Sequence, residues 1–120
     1  MNQPVPDISE DDVKRLIKRD FSNDKLDVVL DILKKYSQQH TDKSILRVWA
    51  ACVKLSGGNI TSLEHAISKA KCDYRDVIAE AEYPLYSKSW SVISEMSDEE
   101  RKKIIDLDWQ NYTNWLNEAL

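Results

Sequence analysis

The stretch from Ile45 to Leu55 reads ILRVWAACVKL and decides the fold class. At helical spacing its apolar side chains leave almost no polar face, and a helix of this kind is one that its neighbours surround. Gly57 follows and can end the helix in the left-handed conformation, where a glycine has no Cβ to clash. The sequence therefore predicts a central apolar helix that begins near Thr41 and has other helices packed around it.

Signals for further helices occur on both sides of this stretch. Ser9 with Asp12 and Ser97 with Glu100 are typical of helix N-terminal caps, and Pro84 is expected to stop a helix near Glu82. Apolar residues follow the starts at intervals of three or four. They are Val13, Leu16, Ile17 and Phe21; Leu26, Val29, Leu30, Leu33 and Tyr36; Leu63, Ala66, Ile67 and Ala70; Tyr74, Val77, Ile78 and Ala81; and Ile104, Ile105, Leu107, Trp109, Tyr112 and Leu116.

The composition agrees with an all-helical chain. Of 120 residues, 42% are hydrophobic and 32% charged, which is a globular balance. Two glycines and three prolines are too few for the many tight turns of a β-rich fold. We therefore predict an all-α fold: a flexible tail over residues 1–8, then a single compact domain over residues 9–120 with about six or seven short helices.

The charge is unevenly distributed between the two halves. Residues 1–60 hold ten basic and nine acidic side chains, whereas residues 61–120 hold seven basic and twelve acidic ones. An acidic half repels phosphate backbones, so no nucleic-acid partner is expected. It suits a basic protein partner, although ordinary solubility explains it equally well.

Neither export nor membrane insertion is expected. The acidic start of the chain lacks the apolar segment of a signal peptide, and Arg47 and Lys54 interrupt an apolar stretch already too short to span a bilayer. We expect a cytoplasmic protein in which Cys52 and Cys72 are reduced thiols in the core.

The sequence contains no recognisable motif for catalysis or metal binding. Cys52, Cys72, His40 and His65 have no metal-ligand spacing on one helix face, and no Gly-x-Ser-x-Gly or phosphate-binding loop is present. The sequence therefore predicts no enzyme activity, no catalytic residue, no metal and no cofactor.

The segment from Asp73 to Tyr86 gives the most specific surface prediction. Two helices across a turn also outline a DNA-binding helix-turn-helix, but four carboxylates on the second helix favour a plain helical hairpin that Asp73 caps. Its acidic and aromatic side chains suit docking to a basic protein. The candidate partner-binding residues are Asp73, Asp76, Glu80, Glu82, Tyr83 and Tyr86. A solvated acidic face, with tyrosines packing the helix end, is the alternative.

Several motifs of the second half resemble a family of small bacterial helical proteins. They are Lys54-Leu55 with Gly58-Asn59, Asp73-Tyr74-Arg75-Asp76-Val77, Ala81-Glu82-Tyr83-Pro84 with Tyr86, and Asp108-Trp109 with Tyr112 and Trp115-Leu116. That family has no assigned activity, so the resemblance implies no catalytic residues. The chain is also similar in kind, though not in motif, to the compact acidic immunity proteins that protect bacteria from toxins.

Three functional hypotheses follow. The first is a protein-binding module, most specifically an immunity protein that blocks a toxin domain such as a nuclease by occlusion. The second is a structural or adaptor protein with no toxin partner. The third is an enzyme that uses Asp73, Asp76 and Glu80 as a carboxylate cluster, which requires at least one carboxylate with a strongly raised pKa. Trp90 and Trp115 are further candidate anchors for a partner. The oligomeric state stays open.

Overall fold

A computed structural model describes residues 6–37, 45–88 and 90–118 of the chain. Within these residues every regular element is helical. The helices are α1 (Glu10–Asp20), α2 (Leu26–Ser37), α3 (Ile45–Ser56), α4 (Ile60–Glu82), α5 (Pro84–Lys88), α6 (Trp90–Ile93) and α7 (Asp98–Asn117), with a short 3-10 turn at Asn23–Lys25. The predicted all-α domain is confirmed. Thr41 and His40 lie outside the described residues, as does the side chain of Trp90.

The caps follow the sequence signals. The Ser9 hydroxyl accepts a hydrogen bond from the Asp12 amide at 3.1 Å, and the Asp12 carboxylate accepts one from the Ser9 amide at 3.0 Å. These bonds pair two donors that the first turn of α1 leaves without helical partners. Ser97 caps α7 by accepting from the Glu100 amide at 3.2 Å. The local capping sequences thus fix where α1 and α7 begin.

Helix α3 is the central element, as its apolar surface predicted. Seven of its twelve residues are buried: Val48, Trp49, Ala50, Ala51, Cys52, Val53 and Ser56. It packs against α4 and α1, while α2 also packs on α4. We refer to α1–α4 as the body, since nearly all of the core side chains belong to these helices.

The turn between α3 and α4 depends on its two glycines. Gly57 and Gly58 have φ values of +57° and +84°, in the left-handed region. A Cβ on Gly57 would meet no atom within 4 Å, whereas one on Gly58 would lie 2.6 Å from the backbone oxygen of Asp20. Gly57 therefore serves as a helix terminator, and Gly58 also allows the end of α1 to approach the turn closely.

Helix α4 consists of two segments joined at Asp73. The backbone of Asp73 is extended, with φ −157° and ψ 102°, and its carboxylate accepts a hydrogen bond from the Arg75 amide at 3.0 Å. An ion pair of 2.5 Å joins Lys69 to Glu80, eleven residues apart. In a straight helix these residues would be separated by about 16 Å along the axis. The contact thus requires a sharp bend, and the predicted cap at Asp73 is confirmed.

The described part of the N-terminal tail, residues 6–8, lies against the domain. Of the predicted tail, Pro6 is buried and Ile8 packs against the core.

Cys52 is buried, but Cys72 is exposed next to the bend of α4, so the prediction that both thiols lie in the core is wrong for Cys72. The apolar character of a cysteine side chain gives no sign that Cys72 lies on the outer side of α4.

Helices α5, α6 and α7 form a smaller unit attached to the body, here called the C-terminal unit. Asp108 of α7 is buried, and its carboxylate accepts hydrogen bonds from the Leu85 and Tyr86 amides at 3.2 and 3.0 Å. It thereby caps the start of α5 from another helix. The Arg101 guanidinium donates to the Ile93 and Ser94 carbonyls at 2.9 and 2.7 Å, which ties α7 to the end of α6.

Candidate functional site

The structure divides the six predicted partner-binding residues between surface and interior. Asp76 is exposed, and Asp73, Glu80 and Tyr86 are partly exposed. Glu82 and Tyr83 are 2% and 4% exposed. The expectation that these two belong to an exposed acidic and aromatic face is therefore wrong. The second half of α4 turns them toward α3 and α7 instead of toward solvent.

Glu82 is buried because it has a charged partner on α3. Its two carboxylate oxygens accept hydrogen bonds from Nε and Nη2 of Arg47 at 2.8 and 2.7 Å. This forked geometry matches the planar guanidinium to the carboxylate. The bond to Glu82 raises the pKa of Arg47 above its ordinary value. The pair thus joins α3 to the end of α4, and it offers no free charge to a partner.

Lys54, which is partly buried, and the buried Asp108 lie beside this pair. The Lys54 ammonium donates to the Ala81 carbonyl at 2.5 Å and lies 5.2 Å from the centre of the Tyr112 ring. Burial lowers the pKa of Lys54, and the negative charges of Asp108 and Glu82 oppose that effect. We call Arg47, Lys54, Glu82 and Asp108 the buried polar cluster. Its two positive and two negative charges balance, as groups removed from water require.

The sequence contains a signal for this cluster that the number of acidic and basic residues in each half does not reveal. Arg47 and Lys54 are seven residues apart, which is two helical turns, so both point from the same side of α3. A helix surrounded by neighbours cannot leave two cations unpaired, so acidic partners from elsewhere were required. Their identity could not be read because Glu82 is 35 positions from Arg47.

The exposed carboxylates differ in their local partners. The carboxylate of Asp73 accepts from the Arg75 guanidinium at 3.1 Å, and this hydrogen bond lowers the pKa of Asp73. Glu80 pairs with Lys69, whose pKa it raises through the hydrogen bond. Among the described residues, Asp76 takes part in no ion pair. Of these three carboxylates, Asp76 is therefore the one without a close ion pair, although Lys69 and Arg75 lie near enough to act on its charge.

Asp76 and Glu80 line a shallow depression between the second half of α4 and α5. Its other lining residues are Lys69, Ala79, Pro84, Ser87 and Lys88. Leu85, which is 44% exposed, belongs to the same short helix that forms one wall. This combination of one unpaired carboxylate, a paired one and nearby apolar surface is the candidate functional site.

Residues 6–37, 45–88 and 90–118 show neither a metal-binding cluster nor a membrane-spanning helix. No group of three or more His, Cys, Asp or Glu side chains is arranged there to hold a metal ion. None of the helices there has the length and apolar character needed to cross a bilayer. Comparison of the chain with protein-family models, curated proteins and solved structures found no match.

Proposed function

We propose that the chain is a cytoplasmic protein-binding module, most specifically an immunity protein that neutralises a bacterial toxin domain by occlusion. The observation that carries the proposal is the exposed Asp76, which forms no close ion pair among the described residues although Lys69 and Arg75 act on it at longer range, in a depression lined by α4 and α5. A basic partner would place a cation in direct contact with Asp76. Leu85 would contribute apolar contact on the neighbouring helix.

Occlusion fits the chemistry of a nuclease partner. Such an enzyme holds phosphate with Lys and Arg side chains, which a carboxylate can pair with in place of the substrate. Close charge pairs that lose water at an interface couple far more strongly than exposed pairs on a free surface. The proposal therefore assigns the main electrostatic role to Asp76 and a smaller one to Glu80, which Lys69 already neutralises.

Two alternative functions are weighed on the same surface. A structural or adaptor protein is supported by the internal pairing of Asp73 and Glu80, since a merely solvated face would show the same pairs. An enzyme would need a carboxylate with a raised pKa, and that of Asp73 is lowered instead. The adaptor is therefore the second candidate.

The test is affinity purification with three tagged versions of the chain: the natural sequence, Asp76→Lys and Asp31→Lys. Asp31 is an exposed carboxylate on α2, so its reversal is a matched control for net charge. We expect a stoichiometric partner with the natural chain and the control. Reversal of Asp76 should weaken the complex by about 10- to 100-fold and change its dependence on salt.

The partner's own effect then separates the hypotheses. An immunity protein requires that the partner stop growth when it is expressed alone and that co-expression of this chain restore growth. A partner that binds equally well to the Asp76→Lys chain would refute the proposed site. A harmless partner would favour the adaptor, and recovery of background proteins alone would count against immunity to a toxin made in the same cell.

A further inference from the structure

The C-terminal half of α7 is attached to the body by a few apolar contacts and several polar ones. Its residues 109–118 carry the one core side chain that α7 contributes, that of Tyr112, with Trp115 and Leu116 partly buried beside it. Most of the remaining attachment is polar. We call residues 109–118 the α7 arm.

Two arginines of α1 hold the end of this arm. Arg15 donates hydrogen bonds to the carbonyls of Leu116 and Glu118, and Arg19 donates to those of Trp115 and Glu118. The last turn of α7 has no basic residue of its own. The arginines therefore supply the positive charge that favours the C-terminal end of a helix.

An aromatic contact extends the same attachment. The Arg19 guanidinium lies 5.1 Å from the centre of the Trp115 ring, and that ring stacks on Tyr112 with centroids 5.5 Å apart. The Arg19 side chain is 7% exposed. Arg19, Trp115 and Tyr112 thus form one continuous stack from α1 into the core.

Docking of the arm also leaves polar atoms without partners. The hydroxyls of Tyr112 and Thr113 are buried and have no hydrogen-bond partner among the described residues. A buried hydroxyl without a partner loses its bonds to water and gains none in return. Leaving the body would restore those bonds, so the docked position is less favourable than its aromatic burial alone implies.

The rest of the C-terminal unit has its own internal ties. Asp108 holds the start of α5, and Arg101 holds the end of α6. Ile93 and Ile105 are buried in this unit but lie outside the main core cluster. The first half of α7 therefore keeps its contacts with α5 and α6 when the arm moves.

From these contacts we propose that the α7 arm is a latch that leaves the body in a local opening, before the whole chain unfolds, and that Arg15 and Arg19 set how often it opens. Each opening exposes the Tyr112–Trp115 pair. Segments with few buried apolar contacts are those that open at low free energy. The proposal does not depend on the identity of any partner.

Native-state hydrogen exchange of the full chain tests this proposal. In the natural protein we expect the amides of residues 109–118 to exchange faster than those of α3, with little acceleration by low urea. The Arg15→Ala/Arg19→Ala double variant should speed exchange in the arm by about tenfold or more, with a smaller effect on α3. Lys14→Ala/Lys18→Ala removes the same charge from α1 as a matched control and should leave the arm unchanged.

A milder variant keeps the test valid if the double variant does not fold. Tyr112→Phe removes an unpartnered hydroxyl and should slow exchange in the arm by about fivefold. Tyr74→Phe, at a partly buried position on α4, is its control. Faster exchange in Tyr112→Phe would contradict the account of the hydroxyl. An arm that exchanges at the same rate as α3, with the same urea dependence, would overturn the latch.

Discussion

Helices α3 and α7 are held in this molecule by different forces. Seven of the twelve residues of α3 are buried, and most of them are apolar. In α7, which has twenty residues, Ile105, Asp108 and Tyr112 are buried. Burial of apolar surface therefore holds α3 in the body, whereas carboxylate caps, arginine–carbonyl bonds and one aromatic stack hold α7. From this comparison we expect the two helices to differ in stability, because they are held by different kinds of contact.

The largest difference should appear when apolar side chains are shortened in the two regions. Leu33 is fully buried in the body, whereas Leu107 of α7 is 47% exposed. Leu33→Ala should lower the free energy of unfolding by about 2–5 kcal/mol, because it removes buried surface and leaves a cavity. Leu107→Ala should change it by less than about 0.5 kcal/mol. Urea unfolding followed by circular dichroism measures both, and equal losses would show that Leu107 is covered in solution.

The next effect contrasts two carboxylates of α4. Glu82→Ala leaves Arg47 without its partner in the buried polar cluster and should cost about 2–3 kcal/mol of unfolding free energy. Glu80→Ala removes a partner of the half-exposed Lys69 and should cost about 0.5 kcal/mol or less. Thermal unfolding of the two variants decides the point. Similar losses would mean that the Arg47–Glu82 pair contributes no more than a surface ion pair.

The two glycines of the α3–α4 turn should also differ. Gly57→Ala places a Cβ in open space but on a left-handed backbone, which should cost about 1 kcal/mol. Gly58→Ala adds a clash with the backbone oxygen of Asp20, so we expect about twice that loss or more. Denaturant midpoints of the two variants test this directly. An equal cost would show that the end of α1 can move away from the turn without penalty.

The smallest effect concerns the response of the body to alkaline pH. Burial raises the pKa of the Cys52 thiol to about 12. The neutral thiol therefore makes its full contribution to the free energy of unfolding below the unfolded-state pKa, near 9. That contribution is lost as the pH rises toward 12. By pH 10 the loss should be on the order of 1 kcal/mol of unfolding free energy. Cys52→Val has no thiol and should show a smaller decline in stability from pH 8 to 10, and an identical decline would contradict the effect.

Local sequence patterns predicted the helices well. The caps at Ser9, Asp73 and Ser97, the terminating Gly57 and the stop before Pro84 all lie where the sequence placed them. These features depend on hydrogen bonds and backbone angles within a few residues, so the neighbouring sequence contains nearly all the information. The central position of α3 was also predictable, because an apolar surface on all sides has one physical solution.

The candidate site was predicted less well. Asp76 and Glu80 remain on the surface, but Glu82 and Tyr83 lie in the interior. A charge pattern cannot distinguish an exposed carboxylate from one that has a distant cation as its partner. Arg47 is 35 positions before Glu82, and the capping role of Asp108 for α5 spans 22 and 23 positions. These pairings depend on how the helices pack.

By itself, the sequence determined that the chain is all-α, where α1 and α7 begin, where α3 ends, and that α3 is central. Tertiary structure decided which carboxylates are buried, which of the predicted site carboxylates form close ion pairs, and how α7 is held against α1. The physical reason is the range of the forces. Caps, backbone angles and helical periodicity act over a few residues, whereas the burial of a charge depends on partners that only folding brings together.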